Sequence, residues 1–176
     1  CIRDRAWASR LIGARELLRN WCIVYVGNVV GALGTVALVA LGSVHSLAGG
    51  AVERTVLLVG MHKSGLGLIE AFALGVLCNT LVCLAVWLAI GGRSVTDKVL
   101  GVIFPITAFV TVGFEHSIAN WFFLPYAYVL GAGDVPGFTG GAVRNLLAVT
   151  AGNVVGGTLL VAGVYWLAYL RPVKRQ

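Results

Sequence analysis

Charge is what this chain has least of. Asp, Glu, Lys and Arg together make up 11% of its 176 residues, where a water-soluble domain carries roughly 25%. So few charges cannot clothe a water-facing surface. With 59% hydrophobic residues and a mean hydropathy of +0.91, most of the chain's surface must face lipid. Proline is nearly as rare, with four in the whole sequence, so long helices can run uninterrupted. The four cysteines form no CxxC and no Cys/His metal spacing, and Cys22, Cys78 and Cys83 lie inside apolar runs as small packing residues. No haem or nucleophile constellation stands out either, so an enzyme is not indicated and no cofactor is implied.

What is abundant agrees with lipid as the solvent. The 24 glycines suit helices that associate through close backbone contact; a glycine-rich disordered chain is excluded by the wealth of Val, Leu and Trp. The net charge of +6 does not point to nucleic acid, because the basic residues sit in short patches between apolar runs.

Four runs reach the roughly 20 residues that cross a bilayer as helix. They cover about 21–43, 66–90, 99–130 and 146–170, so the chain is expected to be an all-α, polytopic membrane protein. Residues 1–20 read as a basic cytoplasmic segment without the apolar core of a signal peptide, and 171–176 as a cytoplasmic tail. Arg3, Arg5, Arg10, Arg15, Arg19, Arg93, Lys98, Arg171, Lys174 and Arg175 fall on one side of the membrane. Only Arg54, Lys63 and Arg144 fall on the other. Positive residues favour the cytoplasm, which predicts that both termini lie there.

The first and last runs share an internal pattern. Asn20, Val24, Gly27, Asn28, Val29, Val30 and Gly31 recur 125 residues later as Asn145, Val149, Gly152, Asn153, Val154, Val155 and Gly156. Two in-register asparagines are informative, because an intramembrane Asn is costly unless paired; Asn28 and Asn153 are therefore read as structural polar residues. The unit that ends at the fourth run holds three spans, and an odd number inverts successive copies. The second copy is whole and the first has only its last span. The expectation is an N-terminally truncated piece of a six-span protein, lacking roughly 60 residues.

The third run is too long for one simple span. Its middle, Gly113 to Asn120, places Glu115, His116, Ser117 and Asn120 at membrane depth. Non-helical backbone is tolerated there only inside protein or beside a water-filled cavity, so two half-helices meeting at a break are expected. Intramembrane ionisable groups mark substrate or proton paths, and His116 is the leading candidate, against the blander reading that it pairs with Glu115 to hold a kink. Glu115 would repel an anion and is assigned a structural role. Phe109 lies two helical turns before His116, either forming an apolar slit or packing against lipid. Asn79 either bonds across helices or lines the path. Lys63 is either solvated or draws anions into a vestibule.

The segments NWCIVYVGNVVGA (20–32), IEAFALGVLCNTLVCLAVWLA (69–89), GRSVTDK (92–98), GFEHSIANWFFLP (113–125) and GNVVGG (152–157) resemble the formate/nitrite transporter family, in its order and over nearly the whole chain. The resemblance implies an aquaporin-like protomer of six spans, assembled as a homopentamer with one pore each, in the inner (cytoplasmic) membrane. It matches His116 to the central pore histidine, Phe109 to an aromatic of the constriction, Lys63 to the lysine bordering the outer vestibule, and Asn79 to an asparagine near the histidine. Asn120, in the same motif, joins the pathway set. The family's other broken helix, with its pore-lining threonine, has no counterpart here. Trp121 stands where the family more often has Met.

The expected function is passage of a small monovalent anion, formate before nitrite or hydrosulfide, with possible proton exchange at His116. Imidazole suits this because its unperturbed pKa is about 6.5. A neutral-solute channel of aquaporin type is the competing reading, although the chain lacks Asn-Pro-Ala turns. A non-transporting membrane scaffold is the third.

Overall fold

A computed structural model of the protein describes residues 2–170, and the expected tail at 171–176 lies outside them. Among the described residues, four helices are long and apolar enough to cross a membrane: Ala14–Leu41, Leu68–Gly91, Val95–Val112 and Phe138–Leu170. In chain order the helices are α1 (Ile2–Ala8), α2 (Ala14–Leu41), α3 (Leu47–Gly65), α4 (Leu68–Gly91), α5 (Val95–Val112), α6 (Ser117–Val129) and α7 (Phe138–Val155). Beyond Val155 the chain continues in wider, π-helical winding through Gly156–Gly163 and Trp166–Leu170.

Two features go beyond the reading from hydropathy. The first spanning helix begins at Ala14, within the basic segment, so Arg15 and Arg19 ride on its first turns. The stretch between the first two spans is itself mostly helix, α3, in which Ala48, Gly49 and Gly50 adopt left-handed φ of 53°, 62° and 79° before regular winding sets in. Glu53, Arg54, His62 and Lys63 had masked this helix, because a hydropathy scan passes over a helix that carries charge.

Glycine decides the closest packing. α4 and α7 are in extensive contact, and at their crossing a Cβ on Gly152 would lie 2.3 Å from the Phe72 carbonyl oxygen. A Cβ on Gly156 would meet the Val76 carbonyl oxygen at the same distance. Only a hydrogen fits there, so two backbones share a van der Waals surface that lipid cannot enter. α3 and α6 pack on each other and on α7 or α2 around Val36, Val56, Leu124, Tyr126 and Phe138, all buried.

The third segment is broken, as its length and polarity demanded. Ser94 and Asp97 form a reciprocal cap at the start of α5: the Ser94 hydroxyl accepts from Asp97 N–H at 3.1 Å, and the Asp97 carboxylate accepts from Ser94 N–H at 2.9 Å. At its other end Gly113 turns left-handed (φ 80°). There Gly113 N–H donates to Val110 O and Phe114 N–H to Phe109 O, the paired bonds that close a helix on glycine. The chain then runs extended to His116, which caps α6: its Nδ1 accepts from Ala119 N–H at 3.3 Å.

Candidate functional site: the break at His116

The break exposes backbone groups at membrane depth, and those groups need partners. Asn153 supplies them from α7. Its Oδ1 accepts from Ser117 N–H at 2.9 Å, and its Nδ2 donates to the Glu115 carbonyl at 3.0 Å and to the Gly75 carbonyl of α4 at 2.8 Å. One side-chain amide thus stitches both edges of the break to α4. It reaches them because Gly75 and Gly152 let α4 and α7 approach. Asn79 donates in turn to the Asn153 carbonyl.

Glu115 points the other way, into protein. The residue is 1% exposed, and Lys63 Nζ of α3 donates to Oε1 at 2.7 Å. Asn120 Nδ2 and Asn145 Nδ2 donate to Oε2 at 2.6 Å and 3.3 Å, and Asn145 also donates to the Lys63 carbonyl at 3.0 Å. A buried carboxylate is tolerable only when paired and hydrogen-bonded, and here three side chains, one each from α3, α6 and α7, do that together. Glu115 therefore pairs with Lys63 and not with His116. Asn120, expected on the pathway, lies fully buried within this cluster and borders neither cavity described below.

Two cavities approach the break. One, of about 410 Å³, carries a set of polar side chains: Asn20, Tyr25, Asn28, Asn79, Thr150 and Asn153 are among the residues that bound it. The other, of about 440 Å³, is bounded by Leu58, His62, Lys63, Phe109, Glu115 and Phe123 among others. Among the described residues His116 is the one common to both linings. Its ring stacks on Phe109, centroids 6.1 Å apart and planes 24° from parallel. His116, Phe109, Lys63 and Asn79 are thus gathered around one wall, with Asn28 on its polar side and Asn120 behind it.

Sequence reasoning had passed over Tyr25 and Thr150, and had met Asn145 only as part of the repeated pattern. The Tyr25 hydroxyl lies 3.0 Å from the Thr150 hydroxyl and accepts from Trp121 Nε1 at 2.8 Å, tying α2, α6 and α7 together. Tyr25 and Thr150 are themselves 125 positions apart, the same offset as the repeated pattern, so equivalent positions of α2 and α7 touch. The available signal was the offset itself, which the unlike pair Tyr and Thr concealed.

Among the described residues the chain is an all-helical, multi-pass membrane protein whose interrupted helix sets an imidazole between two cavities. The comparisons narrow the class. The formate/nitrite transporter family model matches residues 5–167, and the chain belongs to that family. The formate channel FocA of Escherichia coli (strain K12) is 42% identical over 94% of this chain. Among solved structures, a pentameric formate channel with formate bound superposes with a TM-score of 0.78 at 38% identity, covering 89% of this chain and 68% of that one. An FNT family ion channel gives 0.80 at 30%, covering 92% and 63%. The chain spans 64% of the length of the E. coli channel.

Proposed function

We propose that this chain supplies one wall and the central histidine of a transmembrane pathway for a small monovalent anion, formate before nitrite or hydrosulfide. The observation that carries the reading is that, among the described residues, His116 alone borders both cavities, so a solute moving between them must pass its ring. The names of the relatives, formate channels and a formate-bound pentamer, support the substrate. In the same reading the functional unit is a homopentamer in the inner membrane. The polar cavity and both termini face the cytoplasm, and a second, inverted set of spans completes the pore.

Moving an anion past an apolar wall is costly because its charge loses water. The ring at His116 lowers that cost in one of two protonation states. With Nδ1 accepting from Ala119 N–H, the neutral ring carries its hydrogen on Nε2, and that N–H donates to the anion. The imidazolium goes further. It transfers one proton to formate, giving neutral formic acid and a neutral ring, and formic acid crosses the Phe109 side without an ionic desolvation cost. In the water beyond, formic acid gives that proton up and becomes formate again. The neutral ring takes a new proton from water on the side the anion entered, so one proton crosses with each formate. Because an imidazolium bears hydrogen on both nitrogens, protonation ends the acceptor role of Nδ1, and the α6 cap opens with each cycle.

The test is formate flux in proteoliposomes across a range of pH, with water permeability in the same vesicles. Unmodified protein should carry formate with a pH dependence that His116→Phe abolishes. An unchanged pH profile in that variant refutes the role of the ring, and water flux without formate flux favours the aquaporin-type alternative.

A further inference from the structure

Four titratable side chains bound the cavity on the α3 side: His62, Lys63, Glu115 and His116. Two of them cancel. Lys63 Nζ is 2.7 Å from Glu115 Oε1, with side chains 13% and 2% exposed, and the other carboxylate oxygen is held by Asn120 and Asn145. A lysine committed to a buried carboxylate brings no net charge to the cavity, because the pair is neutral as a unit. An anion entering here does not meet a free lysine. His116 belongs to the wall shared with the other cavity. That leaves His62, which is exposed and follows Leu58 by one helical turn on the same face of α3. Elsewhere on α3 and the elements packed on it the charged or titratable groups are Glu53 and Arg54 of α3, Tyr126 and Tyr128 of α6, His45 and Asp134 in the flanking turns, and Arg144 of α7. None of these bounds the cavity, and Arg144 donates to the Ser64 carbonyl at 3.2 Å.

We infer that His62 is the anion-recruiting residue of this mouth: as imidazolium it turns an otherwise neutral cavity cationic and captures a small monovalent anion ahead of the Phe109–His116 wall. An imidazole gains positive charge as the medium is acidified, so capture from this side strengthens with acidity independently of His116. The inference rests on the anion-passage reading above, and its first test does not use transport.

A thiol introduced by Leu58→Cys reports the local potential. It is modified with an anionic and a cationic methanethiosulfonate reagent, and the ratio of the two rates, followed at that site by mass spectrometry, cancels the thiolate fraction. With His62 present, lowering the pH from about 7.5 to about 5.5 should raise the anionic-to-cationic ratio about two- to six-fold. That is the effect of a unit charge about 8 Å from the thiol, with full and with no salt screening. The ratio should stay flat in His62→Gln and be high at both pH values in His62→Arg. A flat ratio with His62 present, or an equal rise in His62→Gln, overturns the inference. In flux assays His62→Gln should raise the formate KM at the lower pH by about 1.5- to 2.5-fold with kcat unchanged, by the same electrostatics; an unchanged KM overturns it as well. A ratio that titrates as expected in a protein carrying no anion would instead remove the passage reading and leave the charge assignment standing.

Discussion

Replacing Lys63 by Met tests whether the lysine belongs to the buried cluster or to the solute. Lys63→Met keeps the length and apolar stem of the side chain and deletes only the ammonium. Glu115 is 1% exposed and would then hold a charge compensated by two carboxamides alone. Removing one member of a buried ion pair costs about 3–5 kcal/mol, because the survivor stays desolvated. Glu115→Gln should cost less, about 1–3 kcal/mol, since Lys63, 13% exposed at its side chain, can turn its ammonium toward the cavity. If the two groups are coupled, Lys63→Met with Glu115→Gln should be less destabilised than the sum of the single changes by about 2 kcal/mol. Equilibrium unfolding of the four proteins in detergent closes this cycle. A Lys63→Met protein as stable as the parent, or strictly additive single changes, would refute the pairing and return Lys63 to the role of a free anion collector.

The close approach of α4 and α7 predicts that Gly152→Ala, whose Cβ would fall 2.3 Å from the Phe72 carbonyl oxygen, costs about 1–3 kcal/mol by overpacking. Gly140→Ala, with nothing within 4 Å, should change stability by no more than about 0.5 kcal/mol; the same unfolding measurement compares them. Asn153→Ala removes the acceptor for Ser117 N–H and the donor to the Glu115 carbonyl. Hydrogen exchange at the Ser117 amide should then accelerate by about 10-fold or more, corresponding to about 1–3 kcal/mol for an unsatisfied buried group, and unchanged protection would show that the break is held by something else.

Much of this site was legible in order but not in connection. His116 could be singled out because an imidazole at membrane depth is rare and expensive, and that cost is a property of the residue and the solvent alone. The break could be foreseen because Gly113 and the polar run after it lie inside a segment too long for one span. Asn153 was visible through its repetition at Asn28. What it holds was not: the pairing of Asn153 with Ser117 and Gly75 depends on a helix crossing that glycine permits and that no local pattern encodes. Lys63 shows the same limit. As a lone cation near a membrane edge it invites an anion, and only its position 2.7 Å from Glu115 reveals that its charge is already committed. Asn120 shows it again, since its neighbour His116 faces the cavities while its own side chain turns inward.

By itself, then, the amino-acid order determined the solvent, the number of long apolar helices, the place of the interruption and the histidine that stands in it. These follow from local composition weighed against the cost of charge and bare backbone in lipid. Only the tertiary structure decided which polar groups neutralise one another and which line the cavities, because partnership is set by distances across helices far apart in the chain. Glu115, Lys63, Asn120, Asn145 and Asn153 became a scaffold in that step, and His116 was left lining two cavities.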